Sequence, residues 1–188
     1  MSLMSYVPSK VFFTSGWGVH RNELGSFEKA LCEAGIQSQN LVYVSSILPP
    51  HCKIVDLEYG LKKLEPGAIT HCVMARVSTN EHGRIAGAAI GLAEPADRNR
   101  YGYLSEVHRF GCDEEEIAEE AEDLAAEFLA ASLGLHFDEN KAWNEKREEW
   151  RIAGQIVNTQ AYPCVRTHKR KCENTKWLTV LSAAVFLA

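Results

Sequence analysis

The sequence predicts an α+β protein, and three observations carry that reading. Extended and helical patterns follow one another as strand, helix, strand, helix, two strands, strand, long helix, two strands. That order lacks the regular βαβ alternation of a doubly wound sheet. Residues 113–133 show one apolar stripe against an acidic face, the signature of a helix lying on a sheet. The small-residue series Ala86-Gly87-Ala88-Ala89 in a strand-like stretch implies close approach by another layer or subunit. A chain of 188 residues is a one-domain length with enough bulk for a sizeable core, so residues 1–188 are read as a single domain.

Each element has its own justification. Val11, Phe12 and Phe13 make residues 10–14 a first strand, and Ser15-Gly16-Trp17-Gly18 reads as a glycine-bearing turn. The Gly-x-Gly lacks the third glycine and the Lys-Ser/Thr of a phosphate loop. Leu24, Phe27, Ala30, Leu31 and Ala34 fall at helical spacing over residues 22–34, with Asn22 placed to cap the start and Gly35 to stop the end. Leu41 to Val44 form an apolar, β-branched run that reads as a buried strand closed by Pro49-Pro50. Leu57, Leu61 and Leu64 mark a short helix over 56–64, ended by Pro66-Gly67. Residues 69–78 and 84–93 read as two strands, and the polar loop 79–83 between them predicts a hairpin. After a loop at 94–99, residues 101–107 form a further strand.

The long helix 113–133 carries Ile117, Ala121, Leu124, Ala125 and Phe128 on one face, continuing to Leu135, with Gly134 as its stop. Its acidic residues suit the helix dipole and a solvated surface. Residues 141–151 extend as a polar helix with Trp143 and Trp150 one heptad apart. Residues 155–161 and 177–187 are the last strands, separated by a basic loop.

Composition excludes some functions. A net charge of −5 leaves no basic surplus for nucleic acid, though it suits a cationic small molecule. The longest apolar run, residues 177–188, is too short to span a bilayer, and the first ten residues lack the pattern of a signal peptide. A cytoplasmic location is expected. Six scattered cysteines contain no Cys-x-x-Cys pair. Cys164, His168 and Cys172 recur every four residues and would share a helical face, but three ligands without a fourth make an incomplete zinc site, and the flanking basic residues point to a loop. No metal is expected.

The stretch Ser45-Ser46-Ile47-Leu48-Pro49-Pro50 admits two readings. In the plain one both serines are turn residues at a strand end, where Ser-Ser pairs are common. Alternatively, the Ser46 hydroxyl attacks the carbonyl of Ser45, converting the peptide to an ester. Removal of the Ser46 α-proton then breaks the chain, and the resulting dehydroalanine hydrolyses to a pyruvoyl group. A ketone built into the chain forms a Schiff base with an amine and accepts electrons, as pyridoxal does. A rigid strand upstream and two prolines downstream would hold the scissile bond in a strained conformation.

Phe27-Glu28, Ala30-Leu31, Ala34-Gly35-Ile36, Asn40-Leu41-Val42, Ser45 to Pro50 and Tyr101-Gly102-Tyr103-Leu104-Ser105-Glu106 together resemble the pyruvoyl-dependent arginine decarboxylases, carboxy-lyases made as proenzymes. The resemblance, not the spacing, singles out Ser46 as the latent cofactor. It implies a four-layer αββα sandwich assembled as a homotrimer of cleaved αβ units, or a dimer of such trimers, with active sites between neighbouring subunits. It implies cleavage at Ser45–Ser46 into a β chain (1–45) and an α chain (46–188), a covalent pyruvoyl group in place of pyridoxal phosphate or metal, and turnover of L-arginine to agmatine and CO2.

The same resemblance assigns roles to single residues. Glu28 meets the substrate guanidinium where the family usually has Asp, and Leu24 packs on the substrate's aliphatic stem. Glu28 also reads as a solvated carboxylate near Lys29 or Arg21. Glu106 falls on the family's essential acid. Apolar neighbours would favour its protonated form through desolvation, although a single Glu on a strand also reads as an edge residue facing water, and His108 lies two residues on. Asn40 matches an asparagine whose amide would hold the oxyanion of the scissile carbonyl, or it is a turn residue. A pyruvoyl decarboxylase for another amino acid, and an uncleaved arginine- or polyamine-binding homologue, stay open at this level.

Overall fold

The computed structural model describes residues 6–134, 156–169 and 176–188. In chain order these form β1 (Lys10–His20), α1 (Glu23–Glu33), β2 (Asn40–Tyr43), β3 (Ile47–Leu48), β4 (Lys53–Ile54), α2 (Leu57–Lys62), β5 (Ile69–Thr79), β6 (Ile85–Pro95), β7 (Gly102–Phe110), α3 (Glu114–Ser132), β8 (Ile156–Thr167) and β9 (Trp177–Leu187). The fold is α+β, with two sheets and three helices among the described residues. One sheet runs β2-β5-β9-β1-β4 and the other β3-β7-β6-β8. The predicted polar helix over 141–151, with Trp143 and Trp150, lies outside the described residues, as do Leu135 and Cys172.

Strand alternation builds the core. Leu178, Val180, Ala184 and Phe186 of β9 join Phe13, Val73, Ile90, Leu92 and Leu104 in a cluster drawn from both sheets. The intervening Leu181, Ala183 and Val185 face the other way and pack with Phe12, Ala30, Leu31 and Ile36 beneath α1. Ser182 points between the sheets, and its hydroxyl donates to the Tyr162 carbonyl at 2.6 Å. Tyr162 in turn stacks on Phe13, ring centroids 3.7 Å apart. On the second sheet, α3 buries Ile117, Ala121, Ala125, Ala126, Leu129 and Ala130. The stripe therefore turns slightly from the expected one, leaving Phe128 exposed against Tyr103.

Three expectations are corrected. Ser15 to Gly18 is not a turn, because β1 continues to His20 in register with β9. Its glycines serve close packing instead: a Cβ at Gly16 would stand 2.3 Å from the Ala30 carbonyl oxygen of α1. Strands β5 and β6 do not pair as a hairpin. They belong to different sheets, so the link between them crosses from one sheet to the other. Local alternation cannot distinguish strands that pair from strands that face each other. Finally, β8 runs through Pro163 and Cys164 rather than ending at 161; a proline is tolerated there because β8 is an edge strand.

The helix starts follow their caps. Asn22 Oδ1 accepts from the Gly25 N–H at 2.8 Å, and Asp113 and Glu116 form a reciprocal capping box. Small residues on β6 answer to α3, since a Cβ at Gly91 would stand 2.0 Å from the Ala121 carbonyl oxygen. Gly91→Ala is therefore expected to destabilise the fold by about 2 kcal/mol. Thermal melting should fall by roughly 4–8 °C relative to wild type.

Candidate active site

The site is built where the chain passes from one sheet to the other. Strand β2 pairs in parallel with β5, Asn40 opposite Ile69 through Tyr43 opposite Cys72. The Val44 N–H extends that ladder by donating to the Cys72 carbonyl at 3.1 Å. Three residues later the chain joins the second sheet, with Ile47 opposite Tyr103 and Leu48 opposite Gly102 of β7. Ser45 and Ser46 span the gap between the two sheet edges.

Three hydrogen bonds define the span. The Ile47 N–H donates to the Ser45 carbonyl at 2.8 Å, a three-residue turn centred on Ser46. The Leu104 N–H of β7 donates to the Ser46 carbonyl at 2.9 Å. The Ser46 hydroxyl donates to Glu106 Oε1 at 2.9 Å. Neither Ser45 nor Ser46 has a positive φ; among the described non-glycine residues only His51 does, at 59°. It lies downstream, after Pro50 in a turn closed by the Cys52 N–H on the Pro49 carbonyl, with Nε2 3.2 Å from Asn99 Oδ1. The three hydrogen bonds hold Ser46 in place.

Nor is β2 the buried strand expected. It lies at the edge of its sheet with Val42 and Tyr43 exposed. Glu106 is likewise exposed in the single chain. It shares a face of β7 with Leu104, which is buried between the sheets, so its carboxylate sits at the open margin of that space. His108, one step further on that face, is exposed.

The other residues named from sequence lie elsewhere. The Asn40 amide donates to the Gly67 carbonyl at 2.7 Å. Leu24, 77% exposed, and Glu28 lie on α1, which packs against β1 on the outer face of its sheet. In that sheet β1 stands three strands from β2, a separation of roughly 14 Å at the usual strand spacing. One chain therefore does not bring Leu24 and Glu28 to Ser46. Cys164 is buried in β8, and His168, beyond the strand's end, donates from Nε2 to the Lys176 carbonyl at 2.7 Å. They share no helical face, and no group of three metal-ligating side chains occurs among the described residues.

Sequence reading passed over several neighbours of the site. A cavity of about 530 Å³ opens beside Ser45 and Ile47, lined also by Val44, Pro49, His71 and Tyr101. Burial, reinforced by the charge of Glu106, pushes the Cys72 thiol up to about 12. Burial also raises the Tyr43 phenol, with Arg76 opposing and Cys72 and Glu106 adding to the rise. Both groups are neutral at pH 7 and set no second anion beside Glu106. The backbone donors of Ile47 and Leu104 carry no residue-type signal, so no sequence pattern could have revealed them.

Comparison with known proteins matches residues 10–188 to the model of the family described as pyruvoyl-dependent arginine decarboxylase. The chain is 52% identical over 184 residues to the probable pyruvoyl-dependent arginine decarboxylase of Chlorobium phaeovibrioides, covering 98% of this chain and 99% of that protein. It is 49% identical over 181 residues to pyruvoyl-dependent arginine decarboxylase 2 of Methanosarcina acetivorans, covering 96% and 97% of the two chains. The pyruvoyl-dependent arginine decarboxylase of Nitrosopumilus maritimus is 44% identical over 185 residues, covering 98% of this chain and all of that one.

The raised Cys72 thiol gives a direct check on the surroundings of Glu106. Burial and the raised pKa leave Cys72 an unreactive, neutral thiol at pH 8. Iodoacetamide applied to native protein should leave Cys72 unlabelled in peptide maps while the exposed Cys32 is modified, and unfolding should expose Cys72 to label.

Proposed function

This chain belongs to the pyruvoyl-dependent arginine decarboxylase family, and from that premise we propose that it cuts itself between Ser45 and Ser46 and then decarboxylates L-arginine to agmatine and CO2. The observation that carries the reading is the 2.9 Å hydrogen bond from the Ser46 hydroxyl to Glu106. A serine beside a carboxylate has both the nucleophile and the base that an intramolecular acyl shift requires.

Self-cleavage begins as Glu106 takes the hydroxyl proton and Ser46 Oγ bonds to the Ser45 carbonyl carbon. The C–N bond breaks, the nitrogen of Ser46 takes up a proton, and an ester joins the two residues. Loss of the Ser46 α-proton expels the Ser45 carboxylate and leaves dehydroalanine, which takes up water and releases ammonia to give the pyruvoyl group. The two pieces, 1–45 and 46–188, stay together. β1 of the first pairs along its whole length with β9 of the second, and β2 pairs with β5.

The pyruvoyl carbonyl supplies an electrophile for the substrate amine and a sink for the electrons released with CO2. The surrounding residues fit it: the Leu104 N–H already fixes the carbonyl of residue 46, and Glu106 stands beside the same residue. Glu106 returns a proton to the substrate α-carbon. Glu28 and Leu24 receive the guanidinium and the aliphatic stem. Because α1 lies on the far face of its sheet, they act on the Ser46 of a neighbouring subunit. By the family resemblance each chain is a four-layer αββα unit working in a homotrimer of αβ pairs, or a dimer of trimers. A carboxylate facing guanidinium gives both charge and bidentate orientation.

Mass spectrometry tests the first step. Wild-type protein should split into two fragments, whereas Ser46→Ala should stay one species of 21.0 kDa. Glu106→Gln should slow the split by roughly 100-fold or more. Complementation tests the second step. Ser46→Ala and Glu28→Ala should each lack agmatine formation, and co-expression of the two should restore part of it. Failure to restore activity would place both halves of the site in one chain.

A further inference from the structure

The attack on Ser45 puts negative charge on its carbonyl oxygen, and something must receive that charge. The Asn40 amide is bonded to Gly67 at 2.7 Å. The donor that reaches the Ser45 oxygen is the Ile47 N–H, at 2.8 Å. Its position is fixed from both directions. Ile47 and Leu48 pair with β7, and Pro49 and Pro50 stiffen the backbone immediately downstream. Ser46, at the centre of the turn, has no positive φ, so the turn is of the inverse, low-energy kind and stands ready before any reaction.

We propose that the backbone N–H of Ile47 is the oxyanion donor of self-cleavage, and that Asn40 is a positioning residue that secures the start of β2. This deepens, and rests on, the self-cleaving reading above. The three-residue turn and the facing strand β7 then hold all the reacting atoms. Ser46 supplies the hydroxyl, Glu106 accepts its proton, and Ile47 holds the oxygen of the carbonyl under attack. As the tetrahedral carbon forms, the charge gathers on an oxygen already facing a fixed donor, which requires no reorganisation. When the Ser45 carboxylate leaves, the Ile47 N–H loses its acceptor. The donor serves one event and takes no part in later turnovers. Asn40 contributes at a distance, through its side chain on Gly67 and its own N–H on the Ala68 carbonyl at 2.8 Å.

The experiment removes the donor without changing the side chain. In the full-length chain Ile47 is replaced by its α-hydroxy acid analogue, which turns the 46–47 amide into an ester and deletes the N–H. The 45–46 cut is timed by intact mass, which also separates it from any hydrolysis of the new ester. We expect a fall of roughly 100-fold, the usual effect of losing one oxyanion donor. Asn40→Ala, which leaves the Ile47 N–H in place, should slow cleavage less than ten-fold. An ester variant that cuts at the wild-type rate, or an Asn40→Ala loss as large as the one expected of the ester, overturns the proposal.

A second measurement uses only natural residues and guards against a variant that does not fold. In uncut Ser46→Ala protein, the Ile47 amide should exchange its hydrogen at least ten-fold more slowly than an unbonded amide; free exchange overturns the proposal. Wild-type protein that never splits would instead defeat the function on which this inference rests.

Discussion

Backbone pairing on both sides of a two-residue gap is the constraint on which this structure depends. Strand β2 is tied to β5 in one sheet and β3 to β7 in the other. Ser45 and Ser46 must therefore bridge two sheet edges whose separation is set by the apolar core between them. Neither serine is free to drift. With its carbonyl on Leu104 and its hydroxyl on Glu106, Ser46 is held along two directions by one neighbouring strand. Such fixing replaces the orientational freedom that an intramolecular reaction would otherwise have to lose.

The same pairing would keep the two pieces together after the proposed cut. The bond in question lies outside the β1–β9 ladder and outside the β2–β5 ladder. Phe12, Phe13 and Val11 of the first piece are buried among residues of the second. Separating the pieces would expose that surface at about 1.5–3 kcal/mol for each large side chain. A cut at the sheet margin removes one covalent bond and leaves these contacts in place.

Glycine and alanine set the distances between layers. Gly16 and Gly18 let α1 lie directly on β1, and Gly87 and Gly91 do the same for α3 on β6. Close approach of α1 keeps Leu24 and Glu28 on the outer surface of the sheet, turned away from Ser46 of the same chain. The helix that the family resemblance ties to the substrate is thereby made available to a neighbour. Glu106 and Tyr43, near Ser46, are exposed in the single chain.

The sequence by itself indicated most of the element types and the capped start at Asn22, and the family resemblance named Ser46 and Glu106 as a pair. The elements and the cap come from local chemistry, periodicity and side-chain hydrogen bonding, whereas the pair comes from the resemblance alone. Tertiary structure alone decided that β5 and β6 face each other instead of pairing, that Gly16 lies in a strand, and that the Asn40 amide goes to Gly67. It also decided that the donors around Ser46 are the N–H groups of Ile47 and Leu104. Every residue except proline carries that group, so its partner is set by where the backbone passes in space and leaves no mark in the amino-acid sequence.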